Sequence, residues 1–220
     1  MPLCTNYYGK VFAHLAGAFG IASLSAEFLN TEAIHISKSP LINTLLIFGL
    51  CILTLVGVIK TEPYTILKYI CFGLFAVLMG QSVKPYVKKL EDNHRLVRVL
   101  TTTMGIFIAM TALGFYDNQN ILGFYPYLFV GLLGLIIVSI IWFFTARTID
   151  EYKQISYYMD VFGTILFTIY IAYHTQVIKE NARSCETQLR RGVLPDYPRD
   201  SVGLFLDIIN LFSSLARSSN

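Results

Sequence analysis

The sequence predicts an all-α integral membrane protein, a bundle of seven transmembrane helices that forms a single domain over residues 1–220. The composition is the first reason: 55% of the 220 residues are hydrophobic and 14% are charged, whereas soluble domains average roughly 45–50% and about 25%. The mean hydropathy of +0.57 agrees. The second reason is that seven apolar runs alternate with short polar connections, with no polar stretch long enough for a soluble domain. The runs lie at about 11–29, 41–59, 64–83, 99–116, 121–145, 155–178 and 201–216.

The same composition excludes several other classes of protein. So few charged side chains cannot cover a soluble fold of this size, and the hydrophobic content is too high for a disordered chain or a coiled coil. The net charge is only +3, and the lysines and arginines stand in short clusters between apolar runs. This pattern is not that of a nucleic-acid-binding protein. The expected environment is therefore the lipid bilayer, without a nucleic-acid partner.

The first six runs are long enough to cross a membrane as helices. A hydrocarbon core of about 30 Å requires about 20 residues at 1.5 Å each. The first run follows a segment without a basic region, so we interpret it as the first span and not as a cleaved signal peptide. Turn signals separate the spans, and the longest connection is about 179–200. These signals are Ser39-Pro40, Glu62-Pro63, Lys84-Pro85 and the polar run 117–120.

The seventh run is shorter and carries a polar stripe. About 16 residues give roughly 24 Å of helix, so this run either packs inside a bundle of the other six or enters and leaves on one side. Gly203, Asp207, Asn210 and Ser214 follow at helical spacing on one face of a helix that is otherwise apolar. In lipid, such a face must meet protein or water, which favours a seventh helix enclosed by the other six.

Neither the basic residues nor the cysteines settle the orientation or the covalent structure. With seven spans, the two sides of the membrane hold eight and nine lysines and arginines, so the positive-inside rule does not orient the chain. Two of the four cysteines, Cys51 and Cys71, lie inside apolar runs, and no Cys-x-x-Cys spacing occurs. From Cys4 and Cys185 we expect no disulfide framework, and we expect no zinc site.

Ionisable side chains inside the spans are the candidate functional residues, because each costs on the order of 2.5–3.5 kcal/mol near the middle of a bilayer. Span 6 contains His174 near its end, and span 7 contains Asp207 in its first half. Consecutive crossing helices run antiparallel, so these side chains should lie at similar depth and meet directly or through one water. The alternative is that Asp207 bonds to a neighbouring helix and that His174 reaches to the membrane interface.

Three further polar residues are supporting candidates: Asn210, Lys68 and Asp160. Asn210 shares the stripe of Asp207, and Asp160 lies in the first third of span 6. Lys68 lies near the beginning of span 3, where extension of the side chain to the interface would explain it.

Known membrane enzymes fit the sequence poorly. The last span has no lysine for a retinal Schiff base, and Asp160 and Asp207 should lie at opposite ends of their spans, too far apart for an aspartyl protease. A zinc-dependent hydrolase needs about three ligands at one point, and only His14, His174 and Asp207 offer a set. We therefore predict no enzyme and no cofactor, and the zinc hydrolase remains an alternative.

Two motifs resemble those of the Bax inhibitor-1 family of multi-spanning membrane proteins. Residues 173–176 read Tyr-His-Thr-Gln, and residues 206–212 read Leu-Asp-Ile-Ile-Asn-Leu-Phe. The hallmarks of the family are similar to Tyr-Asp-Thr-Gln at the end of span 6 and Leu-Asp-x-x-Asn-Leu-Phe in span 7. The number of spans and the short connections resemble the family along the whole chain.

The resemblance implies a fold, a function and a site. It implies seven helices around a central last helix, a calcium leak that lowers organelle calcium, and inhibition of apoptosis. The membrane would be that of the ER or Golgi in a eukaryotic or viral setting and the plasma membrane in a bacterium. The implied partners are calcium, as the transported ion, and apoptosis regulators or other membrane proteins. In the family a pair of aspartates senses pH and gates the pore, and a basic residue near the start of span 3 latches that pair. These positions fall on His174, Asp207 and either Lys68 or Lys60.

The histidine is a departure with chemical consequences. Two adjacent carboxylates share a proton and attract a divalent cation, whereas a His–Asp pair stabilises imidazolium and carboxylate together. A protonated imidazole has no lone pair for calcium, so no firm metal site is predicted and only Asp207 is a possible calcium contact. The leading hypothesis is a pH-sensitive calcium leak with His174 and Asp207 as sensor and gate. The alternatives are a non-conducting anti-apoptotic interaction protein of the same fold and the zinc hydrolase.

Overall fold

The fold is described from a computed structural model, which covers residues 3–29, 40–116, 121–145 and 149–219. Regular structure in these residues is entirely helical, which confirms the predicted fold class. A short 3₁₀ turn, Ile121–Phe124, leads into the fifth helix. The predicted turn at 117–120 lies outside the described residues. The α-helices are α1 Tyr7–Phe28, α2 Pro40–Lys60, α3 Ile66–Asp92, α4 Leu96–Tyr116, α5 Tyr125–Thr145, α6 Ile149–Arg190 and α7 Tyr197–Ser218.

Five helical segments are long and apolar enough to cross a membrane. They belong to α1, α3, α4, α5 with its leading turn, and α6 from Gln154 onwards. Leu46–Lys60 in α2 is a shorter apolar helix over the residues that could be assessed. The chain is therefore an all-α integral membrane protein, and α7 is not among its strongly apolar segments, as its polar stripe predicted.

Three predicted boundaries were wrong, in each case because the helix is longer than its apolar part. α3 does not end at Lys84-Pro85 but continues through Pro85 to Asp92; proline is tolerated in membrane helices when neighbouring groups satisfy the freed carbonyl. α6 continues to Arg190, so much of the predicted 179–200 connection is helix. α7 begins at Tyr197, with Pro198 in its first turn, where proline fits well, and has 22 residues instead of about 16.

The helices form two compact units. The first unit comprises Met1–Pro85 and Glu180–Phe205, and the second comprises Tyr86–Lys179 and Leu206–Asn220. In the first unit, Phe205 of α7 makes edge-on ring contacts with Phe19 of α1 and Phe75 of α3, with ring centroids 5.0 and 6.1 Å apart. Close packing of α1 and α3 adds to this core, since Gly80 lies directly against the backbone of Ala22.

In the second unit, small residues allow α4 and α7 to pack closely against α6. A side chain at Gly114 of α4 would place its Cβ 2.8 Å from the carbonyl oxygen of Ala172 and 2.7 Å from the Cβ of Thr175. Gly163 of α6 likewise lies against Ser214 of α7.

α7 has the largest buried share of any helix whose side chains the structure describes, in both of the units to which it contributes. The prediction that the seventh helix is the most enclosed is therefore confirmed.

Candidate functional site

His174 and Asp207 meet inside the second unit, as predicted from the antiparallel course of spans 6 and 7. His174 Nδ1 lies 2.5 Å from Asp207 Oδ2. The carboxylate oxygen can only accept when it is ionised, so Nδ1 carries the proton and donates it. The contact joins the end of the apolar part of α6 to the middle of α7, which makes it a link between two membrane helices.

The two partners differ in their accessibility. The side chain of Asp207 is 5% exposed, whereas that of His174 is 27% exposed. Asp207 is held between buried apolar neighbours on α7, including Ile208, because its face of the helix points into the unit. The imidazole is therefore the more accessible partner of the pair.

A group of tyrosines surrounds the imidazole. Tyr170 stacks on His174 with ring centroids 5.7 Å apart, and Tyr173 meets the imidazole edge-on at 5.2 Å. Tyr125 of α5 stacks on Tyr173 at 5.7 Å. The sequence analysis did not single out Tyr170, although this residue stands one helical turn before His174, where helix neighbours touch. The rings of these tyrosines therefore form an aromatic wall around the imidazole.

The net charge of the pair depends on whether its imidazole is protonated, and free histidine titrates near neutral pH. With a protonated imidazole the pair is neutral overall, and with a neutral imidazole it carries the carboxylate charge alone. Histidine is the side chain whose ordinary titration falls in this range. An imidazole and one carboxylate offer a divalent cation fewer oxygen ligands than two carboxylates would. The pair therefore offers a weaker site for a divalent cation than a pair of aspartates would.

Lys68 does not reach to the interface, and its ammonium is already engaged elsewhere. The side chain is fully buried, and Nζ donates to Asp196 Oδ2 at 2.5 Å and to the carbonyl oxygen of Thr61 at 2.7 Å. The expectation that Lys68 extends into the headgroup region was therefore wrong, because a carboxylate and a carbonyl satisfy it within the first unit. Lys60, the other candidate for the latch, is exposed at the end of α2.

Asp160 is buried and has a cationic partner that the sequence analysis did not identify. Arg217 Nε donates to Asp160 Oδ1 at 2.7 Å, and its guanidinium lies over the ring of Tyr86 at 5.4 Å from the centroid. These contacts tie the last turn of α7 to α6 inside the second unit. Asn210, the third supporting candidate, is partly buried one turn beyond Asp207.

The first unit contains a disulfide, so the expectation of no disulfide framework was wrong. Cys4, just before α1, is bonded to Cys185 near the end of α6, across 181 residues of sequence. Spacing rules do not detect a pairing between such distant cysteines. Nearby, burial and a hydrogen bond with Tyr197 raise the pKa of Tyr64, in the connection before α3, to about 12.

His14, part of the possible zinc set, is engaged in the first unit. Its Nδ1 lies 2.7 Å from the carbonyl oxygen of Lys10, and its ring packs beside Tyr69 and Tyr197. Among the described residues, no three His, Cys, Asp or Glu side chains are grouped so that they could hold a metal ion.

Comparison with known proteins agrees with the motifs at the pair. Residues 4–218 match the family model described as inhibitor of apoptosis-promoting Bax1. Bax inhibitor 1 of Schizosaccharomyces pombe is 30% identical over 166 residues, which cover 75% of this chain and 56% of that protein. The inner membrane protein YbhL of Escherichia coli is 26% identical over 146 residues, which cover 66% of this chain and 60% of YbhL.

An uncharacterized protein of Rickettsia prowazekii is 25% identical over 222 residues, covering 96% of this chain and 88% of that protein. The chain spans less than two thirds of the length of the yeast and Escherichia coli relatives. The family model, in contrast, covers nearly the whole chain, including both motifs and the pair that they form. The chain therefore belongs to the Bax inhibitor-1 family of membrane proteins.

Proposed function

We propose that this protein is a pH-sensitive calcium leak in which the proton shared by His174 and Asp207 controls conduction. The observation that carries the proposal is the 2.5 Å contact between these side chains, which joins α6 to α7. With a protonated imidazole, opposite charges hold the two helices together. When the imidazolium loses its second proton, from Nε2, the positive charge is removed and the buried carboxylate then favours a cation. The leak should therefore increase as the pH rises past neutrality.

The cellular role that we propose follows from the family. A calcium leak in an endomembrane, that of the ER or Golgi, lowers the calcium content of the organelle and so weakens apoptotic signalling. In a bacterium the same protein would act in the plasma membrane. The proposed cargo is calcium, the proposed protein partners are apoptosis regulators or other membrane proteins, and the role is that of a transport protein without catalysis.

Calcium flux in liposomes tests this function. Purified protein is reconstituted into liposomes that contain a calcium indicator, and the initial flux is measured from pH 5 to 8.5. For wild type we expect a flux that increases across neutral pH, by about tenfold per pH unit at most, the limit for one titrating group. His174→Ala should flatten this dependence because it removes the imidazole of the pair. His174→Asp should restore a carboxylate pair and move the pH response to more acidic values.

His14→Ala is the matched control, because it removes a histidine from the first unit and leaves the pair intact. It should keep the pH profile of the wild type. An identical profile in wild type, His174→Ala and His174→Asp would reject the pair as the gate. The absence of calcium flux at every pH would reject the leak itself.

The second candidate is a non-conducting anti-apoptotic protein of the same fold. The specific observation in its favour is that an imidazole stands where a second carboxylate would help to bind calcium. Under this hypothesis, liposomes with the wild-type protein carry no calcium flux, yet cells expressing it resist apoptosis to the same degree with His174 or with His174→Ala.

A further inference from the structure

The connection between α3 and α4 carries a dense group of exposed cations in the second unit. We call residues 88–98 the basic hairpin. Its exposed lysines and arginines are Lys88, Lys89, Arg95 and Arg98. Glu91 and Asp92 are its acidic residues. Four positive and two negative side chains give the hairpin a net charge of +2.

The basic hairpin is a tight turn held by backbone hydrogen bonds and by buried apolar side chains. The N–H of His94 donates to the carbonyl oxygen of Glu91 at 2.9 Å, and the N–H of Arg95 donates to that of Leu90 at 2.8 Å. Leu90 and Val99 are buried. The apolar side of the turn is therefore fixed inside the second unit, and its cations stay at the surface.

Ion pairs within the described residues do not neutralise these cations. The pairs found there involve Lys68, His174 and Arg217 as the basic partners, and none involves the basic hairpin. Arg95 donates to the carbonyl oxygen of Ser219, which is an uncharged group. The hairpin therefore presents its positive charge to whatever anion lies next to it.

The basic hairpin lies at the depth of lipid headgroups. It joins two segments that are long and apolar enough to cross a membrane, Ile66–Asp92 and Leu96–Tyr116. The apolar run of α3 ends at residue 83, and Lys88 stands about 8 Å further along the helix. The headgroup region extends about 5–8 Å beyond the hydrocarbon on each side of a bilayer. The cations of the hairpin thus stand where lipid phosphates are found.

An apolar stripe on α4 continues from the cations into the membrane. Val97, Leu100, Met104 and Ile108 follow one another at helical spacing, and each is between 44% and 73% exposed. A row of cations followed by such a stripe matches the two parts of a phospholipid, a charged headgroup and apolar acyl chains.

We propose that the basic hairpin binds the headgroup of an anionic phospholipid whose acyl chains lie along the stripe of α4. The occupant is a lipid of the bilayer, such as phosphatidylserine or phosphatidylglycerol, because a soluble anion would leave the apolar stripe without a role. Each cation near the membrane surface should tighten the binding of an anionic lipid by about fivefold at low salt. This binding does not depend on whether the protein conducts calcium.

The first experiment measures the selectivity for anionic lipid. Purified protein in a neutral detergent is titrated with phosphatidylserine or with phosphatidylcholine, and native mass spectrometry gives the apparent Kd of the first bound lipid. We expect phosphatidylserine to bind about tenfold more tightly or better at low salt. Lys88→Gln/Lys89→Gln should weaken the binding of phosphatidylserine by up to about 25-fold and leave that of phosphatidylcholine unchanged.

Arg190→Gln/Arg191→Gln is the matched control, because it also removes two consecutive exposed cations, at the end of α6 in the first unit. This variant should keep the lipid selectivity of the wild type. An equal affinity of the wild type for both lipids, or an equal loss of selectivity in the two double variants, would overturn the proposal. Displacement of phosphatidylserine by inorganic phosphate would show that the hairpin binds a soluble anion, and would overturn it as well.

The second experiment locates the lipid with the four cations in place. Met104→Cys, on the stripe, and Leu24→Cys, on an exposed face of α1, are made in a Cys51→Ser/Cys71→Ser background and labelled with a fluorophore under non-reducing conditions. Each protein is reconstituted into phosphatidylcholine vesicles that contain the same small fraction of brominated phosphatidylserine or brominated phosphatidylcholine. We expect the brominated phosphatidylserine to quench the label at Met104 more strongly, and both lipids to quench the label at Leu24 alike. Equal quenching by the two lipids at Met104 would reject the site, even if the protein binds phosphatidylserine in detergent.

Discussion

Each unit contains a buried ion pair, and the distance between the charged nitrogen and oxygen atoms is the same in both. The two pairs differ in chemistry. In the first unit Lys68 and Asp196 lie 2.5 Å apart, and in the second unit His174 and Asp207 are separated by the same distance. The lysine side chain is completely buried, whereas the histidine side chain is 27% exposed. Lysine remains cationic across the neutral range, and histidine does not. Under the proposed function, the first pair is a fixed tie and the second is one that a proton opens.

The two pairs also differ in the residues that surround them. Asp196 stands four residues before Asp200, whose carboxylate accepts hydrogen bonds from Tyr7 and Asn181, and the Cys4–Cys185 disulfide lies in the same unit. His174 is surrounded by stacked tyrosine rings and has no covalent restraint of that kind in its unit. The comparison teaches that geometry alone does not identify a switch: the two pairs have the same distance, and only the proposed sensor contains a side chain that ordinarily titrates near neutral pH.

The largest expected effect comes from breaking the fixed tie. Lys68→Met leaves Asp196 without its cation, and loss of one partner of a buried pair costs about 3–5 kcal/mol. We expect a large decrease in the yield of monodisperse protein and in the thermal unfolding temperature in detergent. Lys60→Met removes an exposed lysine from α2 and should change neither. Equal stability of the two variants would show that the Lys68–Asp196 pair contributes little.

A smaller effect is expected at the third pair, between Asp160 and Arg217. The arginine side chain is 38% exposed, so water replaces part of the lost contact, and Arg217→Gln should cost about 1–3 kcal/mol by leaving a buried carboxyl group under-satisfied. Thermal unfolding of Arg217→Gln, Asp160→Asn and the double variant measures the coupling. Arg98→Gln, an exposed arginine on α4, is the control. Additive effects of the two single substitutions would mean that the contact has no net energy.

The sequence predicted the class of fold and the central contact because both depend on local patterns. Apolar runs of membrane length mark helices directly, and the alternation of direction between consecutive spans was enough to bring His174 to Asp207. The enclosure of α7 followed from the spacing of its polar residues. Each of these inferences needs only positions along the chain and the repeat of a helix.

The partners of Lys68, Asp160 and Cys4 were not predicted because they come from far along the chain. Asp196 is 128 residues from Lys68, and Cys185 is 181 residues from Cys4. Such pairs follow from the packing of many helices and leave no periodic signal. Helix ends were missed for a different reason: hydropathy marks the part of a helix that lies in lipid, whereas α6 continues well beyond it as a charged helix.

The smallest expected effect on stability is that of the His174–Asp207 pair, which we propose as the sensor. This effect should depend on pH, and that dependence distinguishes it from the effect at the Lys68–Asp196 pair. With a protonated imidazole and an ionised carboxylate, the pair joins opposite charges and should stabilise the fold by about 1 kcal/mol or less, because the histidine is partly exposed. This contribution is present below the pH at which the imidazole loses its proton and declines as the pH rises through it. It also declines in strong acid, when Asp207 takes up a proton. His174→Gln keeps a donor but cannot become cationic, so its unfolding temperature should fall below that of wild type near pH 5.5 and approach it near pH 8. The deficit of Lys68→Met should stay constant over the same interval, since this substitution leaves the imidazole of the second pair in place. A deficit of His174→Gln that is equally independent of pH would mean that the second pair is as fixed as the first, and the proposed division between the two units would fail.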